Sequence, residues 1–327
     1  MTQVRPYISA VVPIFNRRDY VRQQIASLEQ LEYPRDRFEA IIVDNGSTDG
    51  AWEEACAAAD RGVISLRCYR NPSDLRVPSV SRNYGVRQAS GEIVAFTDSD
   101  CTVSPQWLSA AASAFDTDVG MVYGRTISEA DAAKPVLHHT LSVDAGKTYA
   151  ETCNIFYRRE LILRAGGFDE GLPSALKGPV WGEDTDLAYR VLELGYRGVF
   201  CPAAIVVHKV VPTSFRSWLL EPLRALPWAR VVKRHPRIRR DLLLAGIFCT
   251  RMTALFDLML CGVLLSLFFG WPFLLLAIPF LVAKYAEGGQ HLNFPMRLVR
   301  VAGGSMRAFL LFCTLVYSSL RFRSLVL

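Results

Sequence analysis

Asp98 and Asp100 stand one residue apart directly after the short apolar run Ile93 to Phe96. In an extended segment an Asp-x-Asp pair points both side chains to one side, and two hard oxygen donors suit Mg²⁺ or Mn²⁺ with positions left for phosphate oxygens. The same aspartates would also serve as caps for a helix starting near Ser104-Pro105. A second acidic group, Glu183, Asp184 and Asp186, opens a helix, where acids ordinarily complement the dipole. The turn Asp44-Asn45-Gly46-Ser47-Thr48-Asp49-Gly50 gathers hydrogen-bonding groups and backbone N–H donors at a helix start. That place suits a base, ribose or phosphate, or is a plain βα loop capped by Thr48 or Asp49. Arg82 and Asn83 are candidates to hold ribose or phosphate, and His208 closes the apolar run Ala204 to Val207.

The elements that must position these groups are readable from hydrophobic periodicity. Tyr7 to Ile14 predicts a strand, and Asp19 to Leu31 a helix with Val21, Ile25, Leu28 and Leu31 on one face. Phe38 to Val43 predicts a second strand, Ala51 to Arg61 a helix, Leu66 to Tyr69 a third strand, and the segment from Val80 toward Gly91 a helix. Ile93 to Phe96, continuously apolar, reads as a strand buried on both faces. Strands alternating with helices imply an α/β, doubly wound, mostly parallel sheet with right-handed crossovers. Ligands of such sheets bind beyond the carboxyl ends of the strands, where Asp44, Asp98 and Asp100 fall. Val119 to Thr126 and Thr152 to Arg158 are further strands, and Ser128 to Tyr149 between them is polar and suited to acceptor contacts. His138-His139 inside that segment raises a metal site, which is set aside because neighbours on a strand point opposite ways and no carboxylate is suitably spaced; the pair reads as a solvated loop.

Val12-Pro13-Ile14-Phe15-Asn16, Val43-Asp44-Asn45-Gly46-Ser47-Thr48-Asp49, Ser81-Arg82-Asn83-Tyr84-Gly85 and Thr97-Asp98-Ser99-Asp100 occur in an order and spacing that resembles the family 2 glycosyltransferases of the GT-A fold. The resemblance covers roughly residues 7 to 240. It implies nucleotide-sugar binding by Pro13, Phe15, Asn16, Asp44, Asn45, Ser47, Arg82, Asn83, Asp98 and Ser99. It implies a metal on Asp98 and Asp100 with His208 nearby, and Asp184 as catalytic base with Glu183 its companion; Asp186 is left to stabilise its helix. Many members carry Asp where Asn45 stands, which leaves Asp44 the acidic recognition. Sugar transfer needs a base for the acceptor hydroxyl and an electrophile for the leaving diphosphate, and a single displacement inverts the anomeric centre. Processive members carry Gln-x-x-Arg-Trp, absent here, which disfavours polymer extrusion.

The 327 residues exceed one α/β core, and composition changes along the chain. The boundaries expected are a catalytic domain over 1–211, an amphipathic and basic segment over 212–241, and a hydrophobic region over 242–327. Residues 1–10 show no signal peptide, so the first domain is expected to stay in the cytosol; with the apolar region that follows, the location expected is the inner (plasma) membrane. The eight cysteines show no C-x-x-C pair and read as reduced. Arg230 to Arg240 holds six Lys or Arg and no acid; beside a lipid-soluble segment it suits anionic membrane lipids better than nucleic acid. Leu258 to Ala283 is uncharged and broken at Gly270-Trp271-Pro272, which predicts a transmembrane helical hairpin, out along 242–269 and back along 272–286. Arg251 and Asp257 should face protein or one another. Ala308 to Leu320 is too short to cross and reads as interfacial, re-entrant or packed on the hairpin. The function expected is transfer from a nucleotide-sugar donor to a lipid-linked or surface-glycan acceptor. A polyprenyl-phosphate monosaccharide synthase and an inactive membrane scaffold are the alternatives.

Overall fold

A computed structural model describes residues 5–129, 137–144, 150–172, 174–175, 179–287 and 294–327. The chain divides into two compact units, the first holding most of residues 1–213 and the second 214–327 with short pieces of 173–182.

In the first unit β1 (Ile8–Ile14), α1 (Arg18–Glu29), β2 (Phe38–Asp44), α2 (Ala51–Arg61), β3 (Leu66–Arg70), α3 (Pro78–Gln88) and β4 (Ile93–Phe96) alternate as the periodicity predicts. β5 (Cys101–Val103), α4 (Trp107–Ser113), β6 (Val119–Ser128), β7 (His138–His139), β8 (Ile155–Arg158), α5 (Arg159–Arg164), α6 (Glu183–Glu193), β9 (Arg197–His208) and β10 (Val211–Pro212) follow. The main sheet runs β3-β2-β1-β4-β8-β6-β9-β5. Its first four strands are parallel, β8 is antiparallel to both neighbours, β6 and β9 are parallel, and β5 is antiparallel to β9. The chain moves outward from β1 to β3 and then returns to β4 on the other side of β1, which sets the carboxyl ends of β1, β2 and β4 beside a topological switch point.

Alternation along β1 explains the two cores. Ile8, Ala10, Val12 and Ile14 pack with α1, α2 and α4 on one face, while Val11 joins Val94, Phe96, α3 and α6 on the other. Gly85 belongs to this packing: a Cβ there would lie 2.4 Å from Val11 Cγ1, so α3 can lie against β1 only without a side chain. Val94 and Phe96 face one core and Ile93 and Ala95 the other, as a strand buried on both faces requires.

The expectation of a loop at His138-His139 is corrected. The two residues form β7, antiparallel to β10, and the His139 ring stands edge-on to His208 at 5.5 Å. Two residues suffice here because the pairing with β10 is made by backbone groups.

In the second unit, α7 (Phe215–Leu220), a 3₁₀ turn over Glu221–Ala225, α8 (Trp228–Arg234) and α9 (Ile238–Asp241) are short, with Pro222 and Pro227 at their divisions. α10 (Arg251–Phe269) is capped by Thr250 and ends at Gly270, whose φ of +95° lets the chain reverse. A 3₁₀ segment, Trp271–Ala277, and α11 (Ile278–Ala286) return alongside it. The outgoing leg therefore begins at Arg251 rather than 242. Residues 242–250 form turns with a Leu244–Phe248 bridge, because the capping box of Thr250 and Thr253 fixes the helix start. Asp257 Oδ2 is buried with no hydrogen-bond partner, and no ion pair joins it to the exposed Arg251 among the described residues. The expected 13-residue stretch is corrected to α12 (Phe294–Phe322), one continuous helix of 29 residues. Arg297, Arg300 and Arg307 interrupt the apolar run but not the helix, since arginine is a good helix former.

Candidate active site

Asp98 and Asp100 follow β4 on the carboxyl edge of the sheet, and Asp44 ends β2 on the same edge, with β1 between the two strands. The loops after β1 and β2 are stitched to each other. Asn16 N donates to Ser47 Oγ at 2.7 Å, Thr48 N donates to Asn16 Oδ1 at 2.9 Å, and Arg18 N donates to Asp49 Oδ2 at 2.9 Å. Asp44, fully buried, accepts from Ser47 N at 3.0 Å and Ser47 Oγ at 2.5 Å. Asn45 Oδ1 accepts from Asn71 Nδ2 at 2.7 Å and Ser81 Oγ at 2.8 Å. The sequence motif is thus one hydrogen-bonded frame at the strand ends. Phe15 stands 53% exposed at its rim, Pro13 is buried within β1, and Ser99 is buried. Asn16 and Arg17 both adopt positive φ, 57° and 64°, a conformation that non-glycine residues take at a cost.

Arg82 binds the two acidic groups together. From α3 its guanidinium donates to Asp98 Oδ1 at 2.9 Å and to Glu183 Oε1 at 2.7 Å, lies 3.7 Å from Asp184 Oδ1, and rests 5.7 Å over the Phe168 ring. This differs from the expected ribose or phosphate contact: the side chain is 6% exposed and turned to carboxylates. Asn83 differs too. Its amide donates to Phe168 O and Glu170 Oε1 and accepts from Phe168 N, so it clamps the loop before α6 and has no N–H left for a ribose.

Asp184 Oδ2 accepts from Thr152 N at 3.0 Å and Thr152 Oγ1 at 3.1 Å, while Oδ1 is buried without any hydrogen bond. Burial pushes Glu183 up to about 7 and Asp184 up to about 6, against the pull of Arg82. The Asp184 side chain keeps 24% exposure against 6% for Glu183, so solvent tempers its shift more. Asp186 is fully buried and paired with Arg190 at 2.7 Å, a helix-stabilising bond.

His208 arrives through sheet register. β5 pairs antiparallel with β9 so that Cys101 faces His208, which sets the ring beside Asp100. His208 Nε2 lies 3.8 Å from Asp100 Oδ1, and Nδ1 is 2.9 Å from the Lys209 carbonyl. A carbonyl only accepts, so Nδ1 donates to it, which leaves Nε2 turned toward Asp100 as the nitrogen available to a metal. Donor atoms of Asp100, Cys101 and His208 all lie within 4.8 Å of one another. A hydrogen bond with Cys153 and burial push the Cys101 thiol well up, which leaves Asp100 and His208 as the pair suited to a hard divalent ion. Asp98, expected among the ligands, stands with Arg82 instead and falls outside this group. Sequence reasoning missed Arg17, whose Nη1 donates to Asp100 Oδ2, and Thr152, the anchor of Asp184. Arg17 carried a signal, a cation directly after Asn16; Thr152 carried none.

The sequence pattern described as glycosyl transferase family group 2 matches residues 93–318, and that of glycosyl transferase family 2 matches residues 9–168. The chain belongs to the family 2 glycosyltransferases. Glycosyltransferase AglE of Haloferax volcanii is 28% identical over 225 residues, 65% of this chain and 70% of its own length. The pre-mycofactocin glycosyltransferase of Mycobacterium tuberculosis is 28% identical over 259 residues, 73% of this chain but only half of that relative. Among solved structures, a mannosyltransferase from Pyrobaculum calidifontis in complex with GDP-Man and Mn²⁺ aligns over 98% of this chain and 88% of its own, with a TM-score of 0.57 and 19% identity. That likeness is one of fold, and the curled, mostly parallel sheet of this glycosyltransferase is of the GT-A type.

Proposed function

We propose that this chain is an inverting, metal-dependent glycosyltransferase that moves a sugar from a nucleotide diphosphate donor to a hydroxyl of a lipid-linked or surface-glycan acceptor at the cytosolic face of a membrane. One observation carries the reading: Arg82 joins Asp98, at the nucleotide edge of the sheet, to Glu183 and to the orphan oxygen of Asp184. Asp184 takes the acceptor's proton, with Thr152 and Arg82 fixing the carboxylate. Glu183 stays with Arg82 and holds the guanidinium in place. The frame of Asn16, Asp44, Asn45 and Ser47 at the ends of β1 and β2 takes the nucleotide, with Phe15 at its rim. Asp100 and His208 would hold the divalent ion, which when bound neutralises charge on the departing diphosphate. Arg17 adds a cation at the same edge.

The GDP-Man and Mn²⁺ of the Pyrobaculum mannosyltransferase support a nucleotide sugar and a divalent ion. Among the described residues, two helices long and apolar enough to cross a membrane, and a basic segment before them, support attachment to anionic lipids. Thermal-shift measurements across nucleoside diphosphates with Mn²⁺ identify the donor class. Asp184→Asn is expected to keep the donor-induced shift while transfer falls by about 10²- to 10⁴-fold; a fully active variant removes Asp184 from the reaction.

A further inference from the structure

By length and hydropathy α12 qualifies as a membrane span, yet its neighbours in the second unit oppose that placement. A Cβ on Gly303 would lie 3.0 Å from the Trp218 ring of α7. One turn on, Arg307 donates to Glu221 at 2.6 Å with its guanidinium 4.8 Å from the Trp218 ring centre. Further on, Ser318 Oγ donates to Leu226 O at 2.6 Å and accepts from Ala229 N at 3.3 Å. Beyond the helix, Arg239 donates to Ser324 Oγ at 2.9 Å, and Cys249 N donates to the Leu327 carbonyl at 2.6 Å. The contacts advance in step along both partners, so α12 lies lengthwise against α7, the 3₁₀ turn and α8 over about 22 Å. If α12 crossed a bilayer, it would draw Glu221, Arg224 and Arg230 into the hydrocarbon, at roughly 2.5–3.5 kcal/mol for each charge near the centre.

The two faces of α12 point to the alternative. Its inward face carries Arg307 and Ser318, engaged as above. Its outward face reads Leu298, Val299, Met306, Phe309, Tyr317 and Leu320, all between 49% and 75% exposed. The hairpin of α10 and α11 is rooted on the same helix, since Phe256 meets Phe280 at 5.2 Å and Phe312 at 6.3 Å. From Phe256 to Phe269 at the tip is about 20 Å, short of the roughly 30 Å of a hydrocarbon core. Leu267, Phe268, Phe269 and Trp271 at the tip are 68–79% exposed, and no charge lies there to anchor an opposite surface.

We infer that the second unit engages one leaflet only: α12 lies in the plane of the membrane surface with its outward stripe against acyl chains, and the hairpin dips into the same leaflet without emerging. This rests on the membrane attachment proposed above and says how it is made. An anionic leaflet is the fitting partner, because the same unit that carries the apolar stripe also carries the basic run Arg230 to Arg240.

The test is the depth of labels in full-length protein reconstituted into phosphatidylcholine–phosphatidylglycerol vesicles, with quenching by lipids brominated at shallow or deep acyl positions. Fluorescent labels on Leu298→Cys, Met306→Cys, Phe309→Cys and Leu320→Cys are expected at one shallow depth, and on Phe268→Cys markedly deeper. The exposed native Cys313 and Cys261 give the same comparison, shallow against deep, if a variant fails to fold. A graded profile, deepest near Phe309 and shallow at both ends, would mean that α12 crosses, overturning the inference while leaving the attachment intact. No quenching at any position would overturn both, and an unquenched stripe in a dimeric protein would assign that face to a second copy instead.

Discussion

Asp184 can act as a base only as a carboxylate, so transfer should rise with pH through an acid limb near 6, the value to which burial lifts the group. The limb belongs to the coupled pair with Glu183, lifted to about 7, rather than to one residue. Arg82 favours the charged forms, and removing it in Arg82→Met should move the limb to higher pH; a pH–rate profile that does not move would show that the guanidinium leaves the acids alone. The same shifts bear on stability. Both acids have folded values above their ordinary ones, so their contribution is fully present below about pH 4 and is lost as pH rises through about 6 to 7. At Asp100 and His208, the pair proposed to hold the ion, chelation should abolish transfer and Mn²⁺ restore it. His208→Ala should raise the Mn²⁺ concentration for half-maximal activity by about tenfold or more, read from a metal titration.

Elements set these residues in place through few contacts. Asn154, just before β8, donates to the carbonyls of Arg125 and Ala204, each at 2.9 Å, and accepts from Trp107 Nε1 at 2.9 Å. It fills the irregularity where β6 and β9 shift register after Gly124 and so holds the strand that delivers His208. Asn154→Ala should cost about 2–4 kcal/mol by denaturant unfolding, because buried carbonyls lose their donors. In the hairpin, a Cβ on Gly262 would lie 2.6 Å from the Phe273 carbonyl. Gly262→Val should therefore splay α10 from its return leg and weaken vesicle binding, measured by flotation, while the first unit's stability is unchanged. The strands and helices from β1 to β4 were legible because their apolar periods are unbroken. β7 was not, because its pairing rests on backbone groups that carry no side-chain signal. α12 was misjudged in length because a count of apolar residues stops at arginines, whereas the helix continues and turns Arg307 toward Glu221 and Trp218.

For the whole molecule, the chain divides into two compact units at about residue 213, and the proposal gives chemistry to the first and attachment to the second. Attachment through apolar helices as well as basic residues predicts that about 1 M salt, which shortens screening to about 3 Å, leaves the protein in the membrane pellet and that detergent releases it. Release by salt alone would mean that charge carries the attachment.

The order of types along the chain was enough to determine the alternation of strands and helices, the carboxylates at strand ends, the acidic opening of α6 and the apolar composition after residue 241, since each depends on local period and composition. Only the tertiary structure decided that Arg82 serves the acids rather than a ribose, that Thr152 steadies Asp184, that register sets His208 beside Asp100, and that α12 lies along α7 and α8. Those are pairings between residues far apart in sequence. Their partners are chosen by strand order and helix packing, which no local pattern encodes.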